Sequence, residues 1–369
     1  MAKLKKKLFL AFSAFLLAAV LSYCASIPVR SLLVYLTVKR DHRGWSERYF
    51  QKNELLGFTA IPNSQAEETF RKGPDVPSRF DGNGFRIPLK KPHPPGRRPL
   101  ILALGDSFTF GAACLAEESY PYLLAEQLQG SEINAGQYGS GLAQMVLLAQ
   151  RIVPRVRPDY VIVQYSPWLV QRALSPWGPT QFVKLPQPFF VRGPDGSLTI
   201  YPPVFEVFDD FTLGEYRQGD GGAIEFLHFT RNVTFPFLLH DDWNMLKYGF
   251  RRAARKIPSP FDDPNALVQQ VYMSLAKLSE QHNSEMLILL MGCSYGEMPE
   301  SFKGLGVTVV DGRASLCNRL ETKSSEAYGQ QYWHWYGDPP ELIDTHPNAN
   351  AHKIYAEVLE RAIRRNLEK

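Results

Sequence analysis

Three short apolar runs constrain this chain more than any other feature. They are residues 99–104 (Pro-Leu-Ile-Leu-Ala-Leu), 159–165 (Asp-Tyr-Val-Ile-Val-Gln-Tyr) and 285–291 (Glu-Met-Leu-Ile-Leu-Leu-Met). A strand with one wet face alternates apolar and polar residues, whereas a strand covered on both faces reads as a continuous apolar run. Helical stretches are predicted at about 119–129, 142–153, 264–280 and 348–365, with shorter strands at 132–134 and 307–311. Strands that alternate with helices require a parallel sheet with helices on both sides, an α/β architecture.

Other segments fall outside this rhythm. Lys3, Lys5, Lys6 and Lys7 precede a run without charge from Leu8 to Val29. Such a run crosses a bilayer as a helix with its lysines on the cytoplasmic side, so residues 1–29 read as a signal anchor. A cleaved signal peptide is the alternative, although Tyr23 and Cys24 make a poor cleavage site. Either reading carries the rest of the chain out of the cytoplasm: periplasmic or cell-surface if anchored, secreted if cleaved. Residues 30–97 are rich in turn formers and read as an extended arm wrapped on a main domain that spans 98–369. Between about 172 and 262 the pattern is interrupted by aromatics and prolines, among them Trp177, Pro186, Phe189, Phe190, Pro202, Phe205, Phe208, Phe211, Phe235 and Phe237. This is an insertion at the ligand side of the sheet, either a lid or substrate platform or a satellite cluster of core residues.

Chemistry concentrates at two places. Ser107 follows the first apolar run directly, in Gly105-Asp106-Ser107-Phe108-Thr109-Phe110-Gly111. A serine on a tight turn at the carboxyl end of a buried strand presents its hydroxyl at the sheet edge, and its own N–H is placed to meet an oxyanion. Near the other end stands Asp344-Thr345-His346-Pro347-Asn348, followed by His352. A histidine can take and return the serine proton, and a carboxylate two residues earlier can hold its tautomer. Each feature alone has a structural explanation: Asp or Ser as a helix cap in the first, Asp344 as a cap beside an exposed histidine in the second.

Taken together, the blocks resemble the SGNH (GDSL-like) hydrolase superfamily. Gly105-Asp106-Ser107 resembles the first block of that family. Asn134-Ala135-Gly136-Gln137-Tyr138-Gly139-Ser140-Gly141 resembles the second, and Asp344-Thr345-His346-Pro347-Asn348 the fifth. Asn83-Gly84-Phe85-Arg86, ahead of the first strand, is similar to larger bacterial members. The resemblance implies a three-layer α/β/α fold with a flavodoxin-like parallel sheet of about five strands. It implies a triad of Ser107, His346 and Asp344, an oxyanion hole from the N–H groups of Ser107 and Gly139, and no metal or cofactor. The chain departs from the family in its third block, Gln164-Tyr165-Ser166-Pro167-Trp168-Leu169, which lacks the asparagine that donates to the oxyanion. Gln164 and Trp168 are the expected substitute donors. Isoleucine occupies position 343, where the acid often stands, so Asp344 takes that role ahead of Asp338 and Glu341.

The resemblance implies an esterase acting on O-acyl esters outside the cytoplasm, with a small ester or an envelope or exported polysaccharide as substrate. An O-acyltransferase to a sugar hydroxyl is the nearest alternative, and a non-catalytic carbohydrate-binding protein on the same scaffold is the second. Trp333, His334, Trp335 and Tyr336 read either as a sugar-stacking surface or as loop packing. The net charge of +4 owes much to the N-terminal lysines, so no nucleic-acid partner is expected. The membrane is the expected partner of the N-terminal helix. The histidines show no metal-ligand spacing, and residues 136–141 lack the lysine of a phosphate loop. Cys293 and Cys317 are the pair weighed for a disulfide, against buried thiols.

Overall fold

The computed structural model describes residues 2–40, 43–45, 49–70, 72–178, 186–193, 195–205, 235–292 and 299–368. The chain divides into two compact units. One comprises Met1–His42, Gln181–Val183 and Phe211–Lys256; the other comprises Arg43–Thr180, Lys184–Asp210 and Ile257–Lys369.

The larger unit is built on a sheet whose strands are β1 (Arg43–Trp45), β4 (Gln65–Phe70), β5 (Val76–Phe80), β6 (Arg86–Ile87), β7 (Leu100–Leu104), β8 (Ser131–Asn134), β9 (Tyr160–Tyr165), β12 (Glu285–Leu290) and β13 (Thr308–Asp311). Their spatial order is β1-β4-β5-β6-β8-β7-β9-β12-β13. The last five in that order pair in parallel. In chain order β7 comes first and β8 second, so the sheet grows one way from β7 and then reverses to β9. That reversal leaves a crevice at the carboxyl ends of β7 and β9, where open α/β sheets bind ligands.

Period-two geometry divides each strand between two cores. Leu102, Leu104, Val161, Val163, Ile288 and Leu290 face one side, with the helices Leu142–Val156, Pro167–Ala173 and Pro264–Gln281. Ile101, Ala103, Ile162, Leu287 and Leu289 face the other, with the helices Tyr120–Gln127, Gly312–Cys317 and Ala349–Leu367. Both faces are therefore dry, as the continuous apolar runs require. This is the three-layer α/β/α arrangement, with five parallel strands.

The arm differs from the expectation of chain wrapped on the domain: it extends the sheet. β4, β5 and β6 pair antiparallel and join β8 through Arg86 and Asn134. A separate hairpin pairs β2 (Phe50–Asn53) with β3 (Gly57–Ala60). β4 alternates as a strand should, with Ala66, Glu68 and Phe70 inward. A glutamate among the inward residues disguises that alternation in the sequence.

The described part of the insertion is mixed. Within the larger unit, β10 (Phe189–Arg192) and β11 (Leu198–Tyr201) form a hairpin, and the Phe261 N–H bonds the Phe190 carbonyl at 2.8 Å. Phe190 and Phe261 join the core against the sheet, so these aromatics pack the domain. Phe208 and Phe211 lie outside the described residues, as does Cys293 of the disulfide reading. A short hairpin of β14 (His334–Tyr336) and β15 (Glu341–Asp344) leads into the last helix.

The smaller unit contains the helix Ala2–Arg40 and the helix Phe235–Ala253. Within the first, Lys5–Leu33 is long and apolar enough to cross a membrane.

Candidate functional site

β7 ends at Leu104, and the chain turns through Gly105 and Asp106 into the short helix Ser107–Phe110. The Asp106 carboxylate caps that helix by accepting the Phe108 N–H at 3.0 Å. Ser107 begins the helix and is 5% exposed. β15 brings Asp344 up to the same edge, and Pro347 and Asn348 follow as the entry to the last helix. Asn348 fixes that entry on both sides. Its Oδ1 accepts the Ala351 N–H at 3.1 Å, and its Nδ2 donates to the carbonyls of Gln331 and Trp333.

His346 lies between these anchors. Its Nδ1 is 2.6 Å from Asp344 Oδ1, and its Nε2 is 2.8 Å from Ser107 Oγ. Asp344 Oδ1 also accepts the His346 backbone N–H at 2.7 Å. A carboxylate only accepts, so Nδ1 carries the ring proton and Nε2 is left to accept from the serine hydroxyl. The ring of Phe108, on the short helix, lies 5.3 Å from the imidazole, and that of Tyr138, in the turn that holds Gly139, lies 6.0 Å from it.

The turn that holds Gly139 is tied to the serine loop through one carbonyl. Gly105 O accepts the Gln137 N–H at 3.2 Å and the Ser140 hydroxyl at 3.0 Å. Gly139 adopts φ +70°, a left-handed conformation that costs other residues about 1–2 kcal/mol. Among the described residues, neither the Ser107 nor the Gly139 amide hydrogen-bonds within the protein.

Gln164 and Trp168, the expected substitute oxyanion donors, are committed elsewhere. Gln164 is fully buried; its Nε2 donates to Asp106 Oδ1 at 2.8 Å and to Ser166 Oγ at 3.1 Å, which uses both hydrogens. The Trp168 indole N–H donates to Asp106 Oδ2 at 2.7 Å. Both therefore grip the residue before the serine, and neither has a hydrogen left for substrate. Arg172 joins them, with Nη1 at 2.7 Å from Asp106 Oδ2 and 3.1 Å from Ser140 O. It thereby links the residue before Ser107 to the residue after Gly139.

A second support comes from the arm. Buried Glu68 accepts the Ala113 N–H at 2.8 Å and the Tyr138 hydroxyl. Buried Arg86 donates to the carbonyls of Phe110, Gly111 and Cys114, closing the loop after the serine. Burial lowers the Arg86 pKa, and the nearby Glu68 carboxylate opposes that shift. The sequence signal for both is a charged side chain at an inward strand position.

Behind His346, the His334 Nε2 lies 3.2 Å from the Pro347 carbonyl and 3.8 Å from Cys114 Sγ. Burial lowers the His334 pKa and raises that of the Cys114 thiol, which donates to the Pro347 carbonyl at 3.6 Å. Of the aromatic run, Trp333 packs against Tyr328, and Trp335 donates its indole N–H to the Gly329 carbonyl. Trp335 and Tyr336 remain 39% and 51% exposed. The carboxylate at His346 Nδ1 is that of Asp344, and Glu341 pairs with Lys72.

No family model and no curated protein matches the chain. Among solved structures it is similar to a psychrotrophic esterase, EstA, from Pseudoalteromonas, at 12% identity and a TM-score of 0.36, over 74% of this chain and 100% of that one. It is similar to a carbohydrate esterase family 2 enzyme with its carbohydrate binding domain from Corynascus thermopiles, at 14% identity and a TM-score of 0.33, over 82% of this chain and 74% of that one. A GDSL-like lipase from Bacteroides thetaiotaomicron matches at 9% identity and a TM-score of 0.35, over 75% and 93% of the two chains. Likenesses this loose carry no functional weight.

Proposed function

We propose that this chain is a serine-dependent O-acyl ester hydrolase of the SGNH type. One observation carries the reading: the unbroken hydrogen-bonded series Asp344–His346–Ser107, at 2.6 and 2.8 Å, at the reversal point of the sheet. In the proposed reaction His346 Nε2 takes the Ser107 proton as Oγ bonds the acyl carbon. The oxyanion is held by the N–H groups of Ser107 and Gly139. The tetrahedral intermediate then expels the alcohol, which leaves with the proton from His346. Water, activated by the same imidazole, cleaves the acyl-enzyme and frees Ser107. A sugar hydroxyl in place of that water would make the protein an O-acyltransferase through identical steps.

The residues 1–29 are read as a signal anchor that leaves the catalytic unit outside the cytoplasm, where O-acylated envelope or exported polysaccharide is the matching substrate class. The apolar segment and the lysines ahead of it support this placement. The exposed faces of Trp335 and Tyr336, on the hairpin that delivers Asp344, favour a sugar-bearing substrate. The test is release of p-nitrophenol from p-nitrophenyl acetate, with and without an acceptor oligosaccharide. Release that requires Ser107 supports the reading, and acylated oligosaccharide distinguishes transfer from hydrolysis. A folded protein without Ser107-dependent release would favour the carbohydrate-binding alternative.

A further inference from the structure

The helix Phe235–Ala253 carries a stripe of exposed apolar side chains. Leu239, Trp243, Leu246 and Phe250 are 41%, 60%, 55% and 74% exposed. Their spacing of four, three and four residues places them on one helix face. A second observation locates that face. Arg30 forks onto Asp242 of this helix, with both N–O distances at 2.8 Å, and the Tyr23 hydroxyl donates to the same carboxylate. Arg30 is the first charge after the run Leu8–Val29. At a rise of 1.5 Å per residue that run is about 33 Å long, close to the hydrocarbon thickness of a bilayer. With residues 1–29 read as an anchor, Arg30 and its partner Asp242 fall at headgroup level on the far side from the N-terminal lysines. Tyr23 is deeper and reaches outward, as amphipathic side chains do at this boundary.

We propose that Phe235–Ala253 is an interfacial helix that lies on the outer leaflet, with Leu239, Trp243, Leu246 and Phe250 in the acyl-chain boundary. It goes beyond the proposed chemistry and rests on the reading of residues 1–29 as an anchor. The occupant of the stripe is lipid. The apolar face belongs to a helix that contacts the spanning segment, and basic residues run from Lys247 through Arg251 and Arg252 in its last turn to Arg255 and Lys256 just past its end, suited to anionic headgroups. The Arg30–Asp242 fork makes the two helices one membrane module.

The test uses the full chain in vesicles of phosphatidylcholine and phosphatidylglycerol, with brominated acyl chains as quenchers of tryptophan emission. Wild type is expected to be quenched, and Trp243→Phe to lose most of that quenching. Equal quenching of both proteins, or none in wild type, overturns the proposal. Flotation on the same vesicles separates the two readings. Protein that does not float defeats the anchor itself. Protein that floats with Trp243 unquenched defeats only the interfacial helix, and a dimer cross-linked through this face would then assign the stripe to a second copy.

Discussion

Gln164 and Asp106 face each other with both ends of the glutamine amide. Gln164 Oε1 accepts the Asp106 backbone N–H at 3.0 Å, and Nε2 donates to its Oδ1 at 2.8 Å. Gln164 Oε1 also accepts the Thr109 hydroxyl at 2.8 Å, so a single side chain holds the serine loop before and after Ser107. Gln164→Ala leaves buried polar groups unpaired and is expected to cost about 1–3 kcal/mol of stability. On the proposed function, its rate of ester hydrolysis is expected to fall while Ser107 stays reactive toward a small fluorophosphonate. Unchanged stability in a urea titration would contradict this role.

Asp344→Asn keeps the shape of the acid but not its charge. The amide can donate to Nδ1 and so favours the wrong imidazole tautomer. The expected loss in kcat is about 10⁴-fold with little change in melting temperature. Measured on the same substrate, a loss below tenfold would remove Asp344 from the proposed triad.

Two glycines next to the serine separate space from backbone strain. A Cβ on Gly105 would lie 2.1 Å from Thr109 Oγ1 and 2.3 Å from Gln164 Oε1, whereas one on Gly139 meets only Phe58 at 3.7 Å. Gly105→Ala is expected to give no stable protein. Gly139→Ala is expected to fold with a loss of about 1–2 kcal/mol from its positive φ, and to lose rate through a displaced amide. Circular dichroism and kinetics on the two variants check this order, and the reverse order would contradict it.

His352 gives the fold an acid limit. It is fully buried, accepts the Tyr120 N–H on Nδ1, and burial lowers its pKa to about 3. The unfolded chain takes up this proton near pH 6.5, so between about pH 6.5 and pH 3 it binds more protons than the native state, and stability falls as pH falls. Stability is complete in this respect above about pH 6.5. His334, also lowered by burial, acts with the same sign. Urea midpoints at about pH 7.5 and pH 5 should drop more for wild type than for His352→Gln. Equal drops would assign the acid limit to other groups.

The parallel strands were legible because a strand dry on both faces cannot alternate, and Leu100–Leu104 and Tyr160–Tyr165 do not. Ser107, His346 and Asp344 each stand at an element boundary, where local spacing survives folding, and their side chains lie within hydrogen-bond distance of one another. The roles of Gln164 and Trp168 were not legible, since donors near a serine can point outward to substrate or inward to a carboxylate, and the inward partner here is Asp106. The strands of the arm are harder to read, because Glu68 and Arg86 occupy inward positions, where backbone groups of the loop after Ser107 pair with them.

The most direct measurement is labelling of the full chain with a fluorophosphonate, followed by peptide mass spectrometry. A single adduct on Ser107, absent from Ser107→Ala and suppressed in His346→Ala, is the expected result. A folded protein that takes no label, or takes it on another residue, would contradict the assignment of Ser107 as the nucleophile.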